Sequence, residues 1–410
     1  MEVALNIVNC TVGSGIIGLP YALFLSGFSL GVLISIFVSI LTYFTVYTLI
    51  LSGQKSQVYN FPALAELAMG KFGFHILNLM VFIQSAGSVL SYFILVGDTI
   101  PVLLGLYFPQ YPLLADRQLV TIFVSLVIIF PLNLYRSIGA LARWSAFSVF
   151  LLPVMIVTVL IRAPMYAPGH EAPLLTVGND PISTVGTMSF AFVCSQVVFS
   201  NYLSQEKQQV DSWSITSFIS TLISWGSSMT FAAIGYLSFG SDVSSNIFSN
   251  FPIDDPIINV GRFALGLSMV LTVPMGFYPA RDAIQRTLGF ESDKRQPTSI
   301  QHYCVTFVLF VVLLVAGVHV NSLGKVYSFV GGVASSFLAY IIPGIIYITV
   351  FHPEWIPKIR SCSSSRESEP LIENRDLKMR MSSTWWLDIA SVVLIIFGVM
   401  VVSLTIIRAF

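Results

Sequence analysis

The 410-residue chain is 55% hydrophobic and only 10% charged, with twenty Lys+Arg balanced by twenty Asp+Glu. Its mean hydropathy is +0.82, whereas soluble domains carry roughly 25% charged residues. That composition excludes a soluble enzyme, and a formal net charge of zero gives nucleic acid no basic surface to recognise.

A bilayer core is crossed by about 20 apolar residues in a helix. Eleven stretches meet that requirement, near 2–25, 28–51, 74–106, 117–134, 141–162, 180–203, 213–238, 257–280, 302–320, 325–350 and 385–407. The first begins at Met1 without a signal n-region or cleavage site, so it is read as a retained span. It contains Val12-Gly13-Ser14-Gly15-Ile16-Ile17-Gly18-Leu19-Pro20. Each glycine costs about 1 kcal/mol in a helix interior, so two of them flanking a serine invite the helix to open. Unwound backbone at membrane depth is tolerated only where it lines a cavity or is buried in protein. The plainer reading is a small-residue stripe that lets a neighbouring helix approach.

Further along, Gly97-Asp98-Thr99-Ile100-Pro101 is expected to bend the third span near its end. The sixth span reads Gly186-Thr187-Met188-Ser189-Phe190-Ala191-Phe192-Val193-Cys194-Ser195-Gln196, small and polar where a plain span would be rich in Leu and Ile. Residues 351–384 form the one sizeable polar stretch, and within it Glu367-Ser368-Glu369-Pro370-Leu371-Ile372 fits an acidic-dileucine pattern for a sorting adaptor.

Fifteen of the twenty Lys and Arg fall on one side if the N-terminus is cytoplasmic, which the positive-inside bias favours. Ten of the spans divide into two sets of five, so the second set must enter the membrane from the opposite side. That is the arithmetic of an inverted repeat, in which each half opens with a broken helix. The expected organisation is 1–162 (spans one to five), 163–351 (an outer loop and spans six to ten), a cytoplasmic loop 352–384, and a last span within 385–410.

The residues also resemble a known family. Asn6-Ile7-Val8-Asn9-Cys10-Thr11 leading into Gly13-Ser14-Gly15-Ile16-Ile17-Gly18-Leu19-Pro20-Tyr21-Ala22 is similar to the first helix of the sodium-coupled neutral amino acid transporters, in the amino acid/auxin permease superfamily. Val96-Gly97-Asp98-Thr99, Pro131-Leu132-Asn133-Leu134-Tyr135-Arg136, Met188-Ser189-Phe190-Ala191-Phe192, Gly235-Tyr236-Leu237-Ser238-Phe239-Gly240 and Leu271-Thr272-Val273-Pro274 follow in the family's order. The nearest likeness is to its type-11-like branch. Members usually carry a cytoplasmic tail before the first span, whereas this chain starts within it. Close relatives also place a polar run with histidine after the span-six cysteine, where this chain has Cys194-Ser195-Gln196-Val197. The resemblance implies an all-α polytopic membrane protein of eleven transmembrane helices, a 5+5 inverted repeat of the leucine-transporter type with helices 1 and 6 broken.

A zwitterionic amino acid at membrane depth needs donors for its carboxylate and acceptors for its ammonium. The half-helix after Gly15 points free N–H groups and its positive dipole end into the first break. Gly13, Ser14 and Gly15 are therefore assigned the carboxylate. The second interruption is expected to free the carbonyls of Ser189, Phe190 and Ala191 for the ammonium, with Phe190, Phe192 and Cys194 shaping the side-chain pocket. No charged residue is expected near either break, which points to neutral substrates. For the coupling ion, the family resemblance implies a sodium site between spans one and eight. It comprises Asn9 and the carbonyl of Val12, opposite Thr272 and the carbonyl of Met269. The plainer roles are an interhelical hydrogen bond for Asn9, worth about 0.6 kcal/mol, and a back-bond to its own helix for Thr272. Related transporters use a lysine in span five instead of sodium; here that span has none, and its Arg143 sits at the cytoplasmic edge.

Other matches carry nothing. Gly13-Ser14-Gly15-Ile16-Ile17-Gly18 satisfies G-x-G-x-x-G, but no strand precedes it and no acidic residue follows at the dinucleotide spacing. The five histidines lack metal-ligand spacing, and Cys10, Cys194, Cys304 and Cys362 are not placed for a structural disulfide. Asp98 reads equally as a packing or capping residue and as a gating or proton-carrying one, and Asp282 as a surface ion pair with Arg281. The expectation is a secondary transporter for neutral amino acids, coupled to sodium and needing no other cofactor, in the plasma or an endolysosomal membrane. A proton-coupled vacuolar transporter is the alternative within that class. An amino acid-sensing transceptor signalling from the cytoplasmic loop is the alternative outside it.

Overall fold

The computed structural model describes residues 2–136, 138–174, 177–206, 208–291, 296–320, 322–353 and 385–409. The side chains of Asn9, Cys10 and residues 138–147, among others, lie outside that set, as do the Glu367–Ile372 pattern and nearly all of the loop containing it. Among the described residues the chain is helical, with no strand.

The first apolar stretch is two short helices, α1 (Glu2–Thr11) and α2 (Leu19–Ser26), joined by irregular backbone and a 3-10 turn over Ser14–Gly18. Gly27, at φ 78°, turns the chain straight into α3 (Phe28–Ser56). A positive φ costs glycine nothing. Asn60 caps α4 (Phe61–Tyr107) by accepting from the Ala63 N–H, and Gly70 at φ 66° splits the element into a short leading piece and a long span. Next come α5 (Arg117–Val124), a π-helical turn over Ser125–Ile129, α6 (Phe130–Asn133) and α7 (Ile138–Arg162).

The second half opens with α8 (Pro181–Phe192), capped by Asp180, and continues after an interruption as α9 (Val198–Leu203). It proceeds through α10 (Val210–Phe239) to α11 (Pro256–Thr287), whose cap Asp255 accepts from the N–H groups of Ile257 and Ile258. α12 (Ser299–His319) begins with a reciprocal Thr298/Gln301 capping box. α13 (Leu323–Val330) runs through π-helical turns over Gly331–Ser335 and Phe337–Ile341 into α14 (Ile342–Phe351), and α15 (Trp385–Ala409) ends the chain.

Among the described residues, eight helical segments are long and apolar enough to cross a bilayer, two of them (Pro181–Leu203 and Leu323–Phe351) each joining two of these helices, and three shorter apolar segments lie at Ser14–Ser26, Arg117–Asn133 and Phe150–Met165. This is a polytopic membrane protein. The helix α11 packs along α4 and α7, while α8 is surrounded by α2, α3, α13 and the 331–335 turn. Without water, each buried polar tip needs a protein partner. Trp213 donates to the Val46 carbonyl (3.2 Å), Tyr327 to the Ser14 carbonyl (2.8 Å), and Tyr340 shares a hydrogen bond with the Ser189 hydroxyl (3.0 Å).

Arg281 departs from its expected surface role. It is 3% exposed, and its guanidinium donates to the carbonyls of Asn133 (2.7 Å) and Tyr135 (3.0 Å), binding α11 to the end of α6. Asp282 pairs instead with Arg286 one turn on, at 2.9 Å. The reason is periodic: successive residues on a helix point about 100° apart, so Arg281 faces the end of α6 while Asp282 lies on the side of Arg286.

Candidate functional site

The α1 backbone ends at Thr11, whose hydroxyl back-bonds to the Ile7 and Val8 carbonyls and meets Ser224 Oγ on α10 at 2.6 Å. Val12 keeps a last helical bond to the Val8 carbonyl (2.7 Å), and Gly13 is then extended at φ −104°, ψ −150°. The N–H groups that start the 14–18 turn have no intrahelical acceptor. Helix α8 stops at Phe192 in the same manner. Val193 is extended (φ −67°, ψ 124°), Cys194 is irregular, and a short 3-10 turn over Ser195–Val197 leads into α9.

The first interruption abuts the last turn of α8. A Cβ on Gly15 would stand 2.9 Å from the Ala191 Cα and 3.0 Å from its Cβ, so only glycine lets these backbones meet. Tyr327 braces the junction from α13, with its hydroxyl on the Ser14 carbonyl and its ring 4.7 Å from that of Phe190.

A cavity of about 550 Å³ opens beside this junction. Gly13, Ser14 and Gly15 form one wall, and Phe190, Ala191 and Cys194 a second. Thr272, Tyr278 and Asp282 of α11 form a third, and Gln84, Ser85, Ser88 and Tyr92 of α4 the fourth. It extends to the end of the bundle where α4 begins and α11 finishes, with Phe61, Pro62 and Gln196 at that margin. On α4 the lining stops at Tyr92, short of Asp98. There Asp98 accepts from Arg117 Nε (3.2 Å) and from Asn246 Nδ2 (3.2 Å) in the turn after α10.

Seven residues expected from the sequence thus share one cavity: Gly13, Ser14, Gly15, Phe190, Ala191, Cys194 and Thr272. Ser189 and Phe192 do not. The Ser189 carbonyl accepts from the Val193 N–H (3.2 Å) and its hydroxyl turns to Tyr340, so it has no free carbonyl for an ammonium. Phe192 is 2% exposed in the core. The helix persists one turn further than its small residues suggested, because Val193 N–H still finds a helical partner. Asp282 brings a charge to the cavity wall that the sequence did not lead us to expect.

Thr272 donates to the Ser268 carbonyl (2.7 Å) and approaches Ser148 Oγ on α7 at 3.1 Å. With its proton committed to that carbonyl, its lone pairs remain available to a cation. Met269 and Val12 are buried outside the cavity lining, and the Asn9 side chain is not among the described residues. The α4 wall went unrecognised, although Gln84, Ser85, Ser88 and Tyr92 recur at helical spacing within an apolar span.

Near the Asp282 end, Glu291 reaches Arg286 at 3.9 Å. Burial, then the neighbouring Asp282 carboxylate, raise its pKa from 4.5 to about 7.

A family model described as "Transmembrane amino acid transporter protein" matches residues 1–365. The chain is 32% identical to "Putative sodium-coupled neutral amino acid transporter 11" of Bos taurus, over 84% of this chain and 74% of the relative. It is 28% identical to the protein of the same name in Danio rerio, over 85% and 79%. "Vacuolar amino acid transporter 2" of Saccharomyces cerevisiae is 25% identical over 83% of this chain and 74% of its own length.

Proposed function

We propose, from the premise that this chain belongs to the transmembrane amino acid transporter family, that it is a sodium-coupled secondary transporter of neutral L-amino acids. It is a transporter and not an enzyme, and its substrate class is the amino acid. The observation that carries the finer reading is that two helix interruptions, at 12–13 and 193–194, line one cavity. Such a junction offers unpaired backbone groups at membrane depth, where a zwitterion could not otherwise be solvated.

In this reading the substrate carboxylate lies on the N–H groups at Gly13, Ser14 and Gly15. Its ammonium takes the carbonyls released around Phe190 and Ala191, and Cys194 borders its side chain. Sodium takes the Thr272 hydroxyl oxygen, with Ser148 beside it and the carbonyls of Val12 and Met269 completing the set. The interruptions open the two halves of a 5+5 inverted repeat with eleven spans in all. With the N-terminus in the cytoplasm, the cavity faces inward, and the ties at Asp98 close the outer end.

The experiment is uptake of radiolabelled alanine by proteoliposomes, with sodium and proton gradients imposed separately. Accumulation under a sodium gradient alone is expected. Accumulation that persists in choline and follows a pH gradient would assign the chain to the proton-coupled reading. That second reading draws on the yeast relative's vacuolar name and on the raised carboxyl of Glu291 beside Asp282.

A further inference from the structure

Gln84 is a full amide inside an apolar helix, only 6% exposed. Burying such a group without partners is costly, yet a single one is supplied. The Ser335 hydroxyl donates to Oε1 at 2.6 Å, reaching across from the π-helical turn 331–335. Such turns are frequent at functional sites. This one brings Gly331 against the Gly186 carbonyl and the Phe190 side chain, and so seats Ser335 beside the interrupted helix.

With Oε1 held, the amide can present only Nε2. No acceptor faces that nitrogen among the described residues, and it is not sealed in protein; Gln84 forms part of the cavity wall. On the same wall the Ser88 hydroxyl has given its proton to the Gln84 carbonyl (3.0 Å). Ser85, 5% exposed, is the adjoining polar group. Were Gln84 only a tie between helices, a hydroxyl would do the same work without leaving two N–H donors over.

We propose that Gln84, oriented by Ser335, selects substrate side chains by donating a hydrogen bond to a neutral polar group, an amide carbonyl or a hydroxyl. This rests on the transporter reading and names its preferred substrates as glutamine, asparagine and serine over alanine. A cavity that reads one polar group discriminates well against an analogue lacking it, because its own donor is then left unpaired.

The test is Gln84→Met, similar in length but without a donor, reconstituted in proteoliposomes and assayed with labelled glutamine, serine and alanine. The KM for glutamine and serine should rise roughly three- to tenfold while alanine stays within about twofold, the worth of one neutral hydrogen bond. Ser335→Ala, which frees Oε1 without removing the amide, should shift the glutamine-to-alanine ratio in the same direction and by less. It carries the test if Gln84→Met does not reach the membrane. An equal loss for all three substrates would overturn the proposal, since Gln84 would then serve the shared backbone groups or the fold. An unchanged ratio in both variants would overturn it too. Wild-type protein that accumulates none of the three would instead refute the transporter reading itself.

Discussion

Gly13 and Gly15 are two residues apart, and the structure assigns them opposite responses to the same substitution. The Cβ of Gly15→Ala would press at 2.9 Å on the Ala191 Cα, backbone that cannot yield without moving α8. Overpacking of this kind costs about 1–3 kcal/mol, and here the strain falls on the contact between the first interruption and the last turn of α8. At Gly13 the same Cβ meets nothing within 4 Å, and φ −104° is open to any L-residue. Gly13→Ala should therefore be neutral or stabilise by about 0.4–1 kcal/mol, through the entropy of the unfolded chain. Yet whatever is added at Gly13 projects into the cavity. Gly13→Leu should leave the melting temperature of purified protein near that of wild type while abolishing most uptake. Gly15→Ala should lower both. The assay pairs thermal melting in detergent with alanine uptake by the same preparations. A Gly13→Leu protein that transports with a normal KM would refute the assignment of this break to substrate. A Gly15→Ala protein as stable as wild type would refute the contact.

Thr272→Ala should raise the sodium concentration for half-maximal uptake far more than the alanine concentration, measured by titrating each at a saturating level of the other. Glu291 is pushed to about 7, above its usual 4.5, so the folded chain holds this proton more tightly than the unfolded one. Its contribution to stability is then largest at low pH, declines as pH rises from 4.5 to about 7, and stays flat above. Melting from about pH 4 to 8 should show that decline in wild type and not in Glu291→Gln.

Both interruptions were legible because glycine, serine and cysteine are poor currency for a lipid-facing helix, and their positions in the first and sixth apolar stretches were plain. The exact end of α8 was not, because one N–H bonding back to the Ser189 carbonyl decides it, and no side chain announces that. Which faces meet depends on how helices rotate about their axes, and a single chain carries that only as periodicity. The α4 wall was readable in retrospect from residues 84, 85, 88 and 92. Asp282 was misread because its neighbour Arg281 drew attention, whereas the true partner, Arg286, lies four residues on.

The closure around Asp98 has a consequence for leakage. Its carboxylate is gripped by Arg117 from α5 through one oxygen and by Asn246 from the turn after α10 through the other, so each half of the chain holds one side of the same group. Apolar bulk alone can seal a passage yet breathe without much penalty. Parting this tie breaks charge-assisted hydrogen bonds instead, and the guanidinium and carboxylate, 29% and 22% exposed, must exchange each other for further water. The tie at the Asp98 end is therefore electrostatic in kind. In the proposed reading, solute that enters from the Asp282 end meets at the far end a polar tie spanning both halves of the chain, and not apolar bulk alone.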